Sequence, residues 1–552
     1  MPDARPWMSL YPSGTVTDPS IPFASLVDAW NARVAANPDG VALRYFDGVL
    51  TAAEVDEQSD ALAVGLSEKG VRRGDRVGIY LQNIPQYAIS MVALWKIGAA
   101  ALLLNPMYRG AELRHLVDDA GTVGVICSDR SAEETADTLR GSSVRWLITT
   151  SDLDFQNRSD PRVFADPVRA TSRVGEDLVN VVARHRGARP PRPDVSGDDT
   201  AIVAYTSGTT GIPKASLNTH ANVLAVATTF GDFVGTADGD VVFAIAPLFH
   251  ITGAVINAVV ALIRDCTLVF ANRFHPEVTL ETFVEHRVTF TIGSITVFNA
   301  LYRVPDASPE HFASVKALYS GGAPIPPATV RKFEERFGHY IHNAFGMTET
   351  SSGVIAVPPG ARAPVDPASG SLSIGIPLPL LDARVVSADG EPVLAGTAGE
   401  LTLAGPQIIA GYLGRPEDTA KTFPCGRLHT GDVAIMDEHG WVYLVDRLKD
   451  QINVSGYKVW PREVEGVLHE HPAVYEAGVT GEPDDYQGER VVAYVSLNPG
   501  AHVSESELVA FVGDRLAAYK RPRQVHVVDS IPKTLTGKIR RTELRGRAGA
   551  TM

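Results

Sequence analysis

The sequence predicts an α/β protein: a large N-terminal domain of parallel-type sheets and helices with a β-rich subdomain, followed by a small α+β domain. Three observations support this. Short buried apolar runs alternate with helical stretches through the first two thirds of the chain, as in doubly wound α/β architectures. Near residue 380 the pattern changes to short strands and turns, and after Asp446 it changes again. With 552 residues, 45% hydrophobic and 21% charged, the chain is long enough for a large core and at least two domains.

The elements follow in order. Arg76 to Leu81 reads as a buried strand, Gln86 to Ile97 as a helix and Ala100 to Leu104 as another strand, with a helical stretch near Glu112 and the apolar run Gly121 to Cys127. The alternation returns at Val241 to Ala246, Cys266 to Phe270 and Ala317 to Tyr319, which suggests parallel sheets covered by helices. "RGARPPRPDVSGDD", from Arg186 to Asp199, is rich in proline, glycine and charge and reads as a loop between two halves of the large region. From about Leu380, "DARVVSADGEPV" has the short strands and turns of antiparallel structure. Beyond Asp446 come a helix near Pro461 to His469, strands near Val474 to Val479 and Arg490 to Leu497, and a helix near Ser504 to Leu516. The expected domains are 1–446, β-rich from about 380, and 447–552.

Composition narrows the function. Fifty basic against 64 acidic residues, a formal charge of −14, argue against general nucleic-acid or anionic-membrane binding. Cys127, Cys266 and Cys425 lie far apart, without the spacing of a disulfide framework or a zinc site. The N-terminal "MPDARPWMSLYPSG" has no basic stretch before an apolar run, and no segment approaches ~18 uninterrupted apolar residues. The expectation is a soluble cytoplasmic protein with no integral membrane segment, either monomer or homodimer.

The chemistry starts at "YTSGTTGIPKAS", residues 205–216, directly after the apolar run Ala201 to Ala204. Gly208, Gly211 and Lys214 are each three apart, and Pro213 sits where a Walker A loop would enter its helix, so this is not that loop. Glycines still let backbone N–H groups approach an anion, and Thr206, Ser207, Thr209 and Thr210 add hydroxyls. The stretch suits a polyphosphate. It also resembles the signature of the adenylate-forming acyl-CoA synthetase family, and its companions occur in the family's order. These are "APLFHITG" (246–253), "SGGAPIP" (320–326), "NAFGMTET" (343–350), "LHTGD" (428–432), "DRLKDQINVSGYKV" (446–459) and "PKTLTGKIRR" (532–541). The resemblance implies an acyl-adenylate made from a carboxylate and ATP, with pyrophosphate released and the acyl group then passed to a thiol, usually that of CoA.

The resemblance also assigns roles that make chemical sense. Bringing a carboxylate to the α-phosphate of ATP crowds negative charges together, so catalysis must rest on neutralisation and positioning. Thr206 to Lys214 would hold the β- and γ-phosphates, Glu349 would ligate Mg2+ through a hard oxygen, and Thr348 would contact the α-phosphate. Asp432 would accept hydrogen bonds from the ribose, and Arg447 would add contacts to ribose or phosphate. Gly322, Ala323 and Pro324, with Asn343, Ala344, Phe345 and Gly346, would form an adenine slot with the Phe345 ring stacking on the base. Lys538 would reach between the acyl carboxylate and the α-phosphate. Lys449 would be the hinge between two catalytic poses, and Gly456 and Tyr457 would border the thiol tunnel. Taken alone, Glu349 or Asp432 would read as a cap or solvated carboxylate, and Lys538 as part of a solvated basic tail. Their joint occurrence in order favours the catalytic reading.

Three positions depart from the family pattern: Ala215 follows Lys214 where glycine is usual, Phe345 replaces a tyrosine, and Asn453 stands where some relatives carry lysine. Amino-acid-activating relatives place an aspartate where Phe249-His250 stands, so an α-amino acid substrate is disfavoured. His250, Thr252 and Gly253 resemble the acyl-CoA branch, with a ring between acyl pocket and thiol tunnel. The expected pocket wall includes Asn257, Ser294, Val297, Phe298, Gly321 and Gly346, with no obvious cation for a second carboxylate, which favours an apolar monocarboxylate such as a fatty acid. An aryl acid–CoA ligase and a stand-alone enzyme loading a carrier protein are the alternatives.

Overall fold

The computed structural model describes residues 5–191, 193–206, 213–367, 369–447, 450–455, 457–484, 487–534 and 538–545. It is a mixed α/β protein with a large N-terminal domain of parallel-containing sheets and a separate C-terminal domain. The larger sheet has nine strands. Its centre is parallel: Thr267–Phe270, Val241–Phe243, Phe290–Gly293, Ala317–Gly321 and Ile341–Met347 run side by side in one direction. Its edges are antiparallel, with Gly48–Thr51 at one side and Ser352–Ala356 and Ile376–Pro377 at the other. The second sheet has seven strands, centred on the parallel strands Gly124–Ser128, Arg76–Tyr80, Ala100–Leu103 and Thr200–Tyr205. These strands are apolar on both faces, as a sheet covered on both sides requires.

Helix Pro85–Lys96 belongs to the core along its whole length, all twelve residues buried. Such a helix is apolar all round, as its sequence PQYAISMVALWK shows. Its one charge, Lys96, is 6% exposed and is paired at 2.6 Å with both Asp56 and Asp60. Removing both carboxylates would leave the buried cation without a counter-charge, a loss of ~3–5 kcal/mol.

The antiparallel structure expected from about residue 380 is a four-stranded sheet of Asp382–Val386, Gly399–Ala404, Leu428–Met436 and Val442–Arg447. The small domain pairs Val474–Asp484 with Gly488–Leu497 and adds Gln524–Val527 in parallel. Helices Pro461–Glu470 and Glu505–Gly513 pack on that sheet. Among the described residues no helix is long and apolar enough to cross a membrane.

This topology sets where chemistry can occur. The segments carrying residues 246–253, 294–297, 322–324 and 348–349 all follow the carboxyl ends of parallel strands in the nine-stranded sheet, the usual position for ligand sites in α/β sheets.

Candidate active site

The phosphate-type loop leaves strand Thr200–Tyr205 and returns as strand Ala215–Thr219, antiparallel to it. It therefore caps a hairpin and does not open a helix. Its neck is closed by Thr206 N–H donating to the Lys214 carbonyl (2.9 Å) and Lys214 N–H donating to Thr206 Oγ1 (3.2 Å). Ser207, Gly208, Thr209 and Thr210 lie outside the described residues.

The returning strand also pairs with a second segment, through the Ser216–Tyr412 bridge and the Leu413 N–H to Ala215 carbonyl bond (2.9 Å). That pairing brings four polar side chains together. Lys214 Nζ lies 2.6 Å from Asp418 Oδ1 and 5.1 Å from the centroid of the Tyr412 ring. The Tyr412 hydroxyl donates to Glu349 Oε1 at 2.7 Å. Burial and the neighbouring Glu349 push the Tyr412 phenol well above its ordinary pKa, so it stays a donor at any working pH.

Glu349 is 7% exposed and sits in the turn between strands Ile341–Met347 and Ser352–Ala356. The turn is strained, with Ser351 at φ 52° and Ser352 at φ 123°, a backbone that persists where surrounding contacts over-determine it. Here the contacts are Met347 N–H to Thr350 Oγ1 (2.8 Å) and Ile409 N–H to the Glu349 carbonyl (3.0 Å). Thr348 stands half-buried beside the carboxylate.

Next to this turn, Gly321 and Ala344 are register partners on adjacent parallel strands. A Cβ on Gly321 would meet the Ala344 carbonyl at 2.9 Å, and one on Gly346 would meet the Ser352 carbonyl at 1.9 Å, so backbone closeness alone requires both glycines. Gly322, at φ 82°, turns the chain outward and leaves Ala323 half-buried and Pro324 exposed at the mouth. Asn343 is 3% exposed and donates to the Ser373 carbonyl (3.3 Å). Phe345 is 9% exposed and packs in the main core, which leaves little of its ring for stacking on a base. Asp432, 2% exposed, lies directly across an antiparallel ladder from Arg447. The Arg447 side chain is outside the described residues.

In the 246–253 segment, the Thr252 N–H donates to His250 Nδ1 (3.3 Å), leaving the proton of the neutral ring on Nε2. Burial, and then the charge of Lys538, push the His250 pKa down to about 4, so the imidazole is neutral at pH 7. Gly253–Val259 is a π-helix, a form frequent at functional sites. Asn257, fully buried, donates to the Ile292 carbonyl (3.3 Å) and accepts from its N–H (3.4 Å). It ties the π-helix to the sheet. Ser294 and Val297 are half-buried where the next helix begins. Phe298 is fully buried against Phe333, ring centroids 5.7 Å apart, and belongs to the core and not to a pocket wall. A Cβ at Gly253 would meet the Pro247 carbonyl at 2.2 Å, so volume added there enters a backbone turn and not open acyl space.

The small domain contributes Lys538. Thr534 N–H donates to the Lys538 carbonyl (2.8 Å), and Lys538 N–H donates to Thr534 Oγ1 (3.1 Å). At the base of this loop the Arg541 guanidinium is paired with Glu465 (2.7 Å) and Asp450 (3.3 Å) and donates to the Val479 carbonyl (3.0 Å). The charge of Lys538 adds to burial in lowering the His250 pKa, so the small domain's lysine lies within electrostatic reach of the histidine. The domains also meet where the Arg303 guanidinium stands 3.6 Å over the Tyr475 ring. Tyr457 is 59% exposed and stacks on Tyr519 of its own domain at 4.8 Å. Lys449 and Gly456 lie outside the described residues.

Sequence reading missed Tyr412 and Asp418. Their signal was the stretch "GYLGRPED" (411–418), whose aromatic and acid are meaningful only once that segment pairs beside Lys214. Among the described residues no group of three or more histidine, cysteine or acidic side chains could hold a metal. Glu349, a nearly buried carboxylate with Oε1 engaged by Tyr412, fits Mg2+, which typically takes one or two protein carboxylates together with substrate phosphates and waters.

Residues 30–413 match the AMP-binding enzyme family, and residues 463–538 match the AMP-binding enzyme C-terminal domain. A long-chain-fatty-acid–CoA ligase of Escherichia coli O6:H1 is 32% identical over 98% of this chain and 98% of its own. A feruloyl-CoA synthase of Amycolatopsis sp. is 33% identical over 94% of this chain and 99% of its own. The crystal structure of the anthranilate CoA ligase AuaEII with anthranoyl-AMP superposes with a TM-score of 0.85 at 25% identity, covering 96% of this chain and 98% of that one. The chain belongs to the AMP-binding enzyme family.

Proposed function

We propose that this protein is an AMP-forming acid–CoA ligase acting on an apolar monocarboxylate, with a fatty acid the first choice. The observation that carries this reading is the convergence of Lys538, from the small domain, on neutral His250 at the carboxyl edge of the same sheet that carries Thr348 and Glu349. The relatives named for fatty-acid and feruloyl thioesters support CoA as acceptor. The feruloyl relative keeps an aryl acid as the second reading of the substrate.

In the first half-reaction a carboxylate oxygen of the acid attacks the α-phosphorus of ATP, forming the acyl-phosphate bond as the bond to pyrophosphate breaks. Lys214 and the 206–214 loop hold the β- and γ-phosphates, Thr348 contacts the α-phosphate, and Asp432 with Arg447 fixes the ribose. Lys538 neutralises charge between the acid and the α-phosphate, and uncharged His250 avoids placing a second cation against it. Glu349, oriented by Tyr412, would hold Mg2+, which neutralises phosphate charge when bound. In the second half-reaction the thiolate of CoA attacks the acyl carbon and AMP leaves. The small domain, taken from residue 447 with a hinge near Lys449, turns between the two steps to remove Lys538 and present Gly456 and Tyr457.

The test is pyrophosphate release from ATP with a panel of aliphatic, aryl and amino acids, followed by detection of the CoA thioester. Turnover confined to α-amino acids would overturn the substrate reading. Adenylation with transfer only to a pantetheinylated carrier would overturn the CoA reading.

A further inference from the structure

Lys214 has an acidic partner within the protein itself. Its ammonium lies 2.6 Å from the Asp418 carboxylate, and this is no chance meeting of two long surface side chains. Asp418 sits in the first turn of helix Pro416–Thr422, and Tyr412 N–H donates to Thr419 Oγ1 in the same helix (3.0 Å). The segment is pinned to the strand after the phosphate loop by Leu413 N–H on the Ala215 carbonyl (2.9 Å). It is pinned to helix Gly110–Asp119 by Arg415 Nη2 on Asp119 Oδ1 (2.9 Å). The carboxylate is thus held in place while the lysine's flexible stem can swing. Both side chains are partly open, Lys214 31% and Asp418 40% exposed, so an incoming anion can reach the ammonium.

We infer that Asp418 is an exchangeable counter-ion for Lys214. It holds the ammonium in the nucleotide-free enzyme, yields it to the triphosphate, and retakes it as pyrophosphate departs. This inference rests on the reading that Lys214 contacts the β- and γ-phosphates. Two anions cannot both use one ammonium at full strength, so the carboxylate weakens the grip on pyrophosphate. No bond is made or broken; the exchange is of ion pairs. Its size is that of a partly exposed pair, about two- to fivefold in affinity, diminishing as salt screens it. Asp418 is therefore a positioning residue whose use is to make the leaving group leave.

The experiment titrates the full-length enzyme with inorganic pyrophosphate and Mg2+ by calorimetry, for the parent, Asp418→Asn, Lys214→Met and the double variant, with thermal midpoints checking that each is folded. Asp418→Asn should bind pyrophosphate about two- to fivefold more tightly, with a gain that shrinks at high salt, and should lower the inhibition constant of pyrophosphate in the forward reaction. In the Lys214→Met background the same change should have no effect. Unchanged or weaker binding by Asp418→Asn, while Lys214→Met binds poorly, would overturn the counter-ion exchange alone. Tightening of equal size in both backgrounds would also overturn it, because the carboxylate would then act by direct repulsion. Parental affinity in Lys214→Met would remove the phosphate contact itself, and the exchange with it. Asp418→Ser supplies a second variant with the charge removed and the helix turn kept.

Discussion

Replacing Tyr475 by leucine should separate the two half-reactions. Tyr475 is the second residue of strand Val474–Asp484 in the small domain, and Arg303 closes helix Ile295–Arg303 in the large one. The guanidinium lies 3.6 Å over the ring, and burial raises the tyrosine's pKa, so the contact is partly desolvated. Such a cation–π contact contributes ~1–2 kcal/mol, between the exposed and desolvated limits. The contact exists in the arrangement that sets Lys538 beside His250. Rotation of the small domain would break it, so the leucine variant loses that stabilisation from one pose only. At 1.4 kcal/mol per tenfold, the ratio of adenylation pose to other poses falls by about 5- to 30-fold. The rate of adenylation follows in full once that pose is a minority, and by less while it dominates.

The assay is pyrophosphate exchange for adenylation, set against single-turnover thioester formation from supplied acyl-AMP. Tyr475→Leu should slow the first and leave the second unslowed, while Tyr475→Phe, which keeps the ring face, should behave like the parent. Equal loss in both half-reactions, or an effect of Tyr475→Phe as large as that of leucine, would refute the reasoning.

Other outcomes follow from the same geometry. Lys538→Ala should slow adenylation at least a hundredfold, ~2.7 kcal/mol from the loss of one stabilising donor. It should also let the His250 pKa rise from about 4, since the lysine's charge is one of the two causes of its depression; an unmoved His250 signal in NMR titration would deny the adjacency. Tyr412→Phe removes the hydroxyl that holds Glu349 Oε1, so the Mg2+ needed for half-maximal pyrophosphate exchange should rise about 10- to 100-fold with the acid's KM unchanged; an unchanged Mg2+ requirement would show that Glu349 needs no such orientation. Acid should destabilise the fold between pH 6.5 and 4, because burial moves His220, His342 and His469 to about 4 as well. The unfolded chain takes up protons from its ordinary value of about 6.5 while the folded chain refuses them, at ~1.4 kcal/mol per pH unit per histidine. Urea midpoints that stay level from pH 7 to 5 would contradict this.

What the sequence displayed well was burial. The run read as Arg76 to Leu81 is the strand Arg76–Tyr80, and the helix read as Gln86 to Ile97 is Pro85–Lys96, because both are apolar on every side and end at turn residues. Direction and edges were less visible. Ala215–Thr219, ASLNT, carries few apolar residues, and nothing local says that it returns antiparallel to Thr200–Tyr205. The π-helix over Gly253–Val259 reads as an ordinary apolar stretch. Motif glycines carried their message only in part: Gly253 and Gly346 stood out within their motifs, but the carbonyls that forbid a side chain there, Pro247 and Ser352, come from the folded turn. Tyr412 and Asp418 were hidden for a related reason. Their partners Glu349 and Lys214 lie 63 and 204 positions away, and no local pattern encodes a contact across that distance.

The charge arrangement also explains how the imidazole and the lysine can lie within electrostatic reach of each other. Linkage is reciprocal: if the Lys538 ammonium makes protonation of His250 harder, protonation of His250 makes the approach of Lys538 harder by the same free energy. With the histidine titrating near 4, the ring is neutral throughout the neutral range, and the lysine meets no competing cation when it approaches. An arginine at 250 would carry its charge at every pH and oppose Lys538 permanently, so adenylation should suffer more than thioester formation. A phenylalanine there would keep the ring's bulk, remove the Nδ1 acceptor that holds Thr252 N–H, and spare the lysine. What the position requires is therefore a ring without charge, and histidine supplies one because its burial keeps it deprotonated.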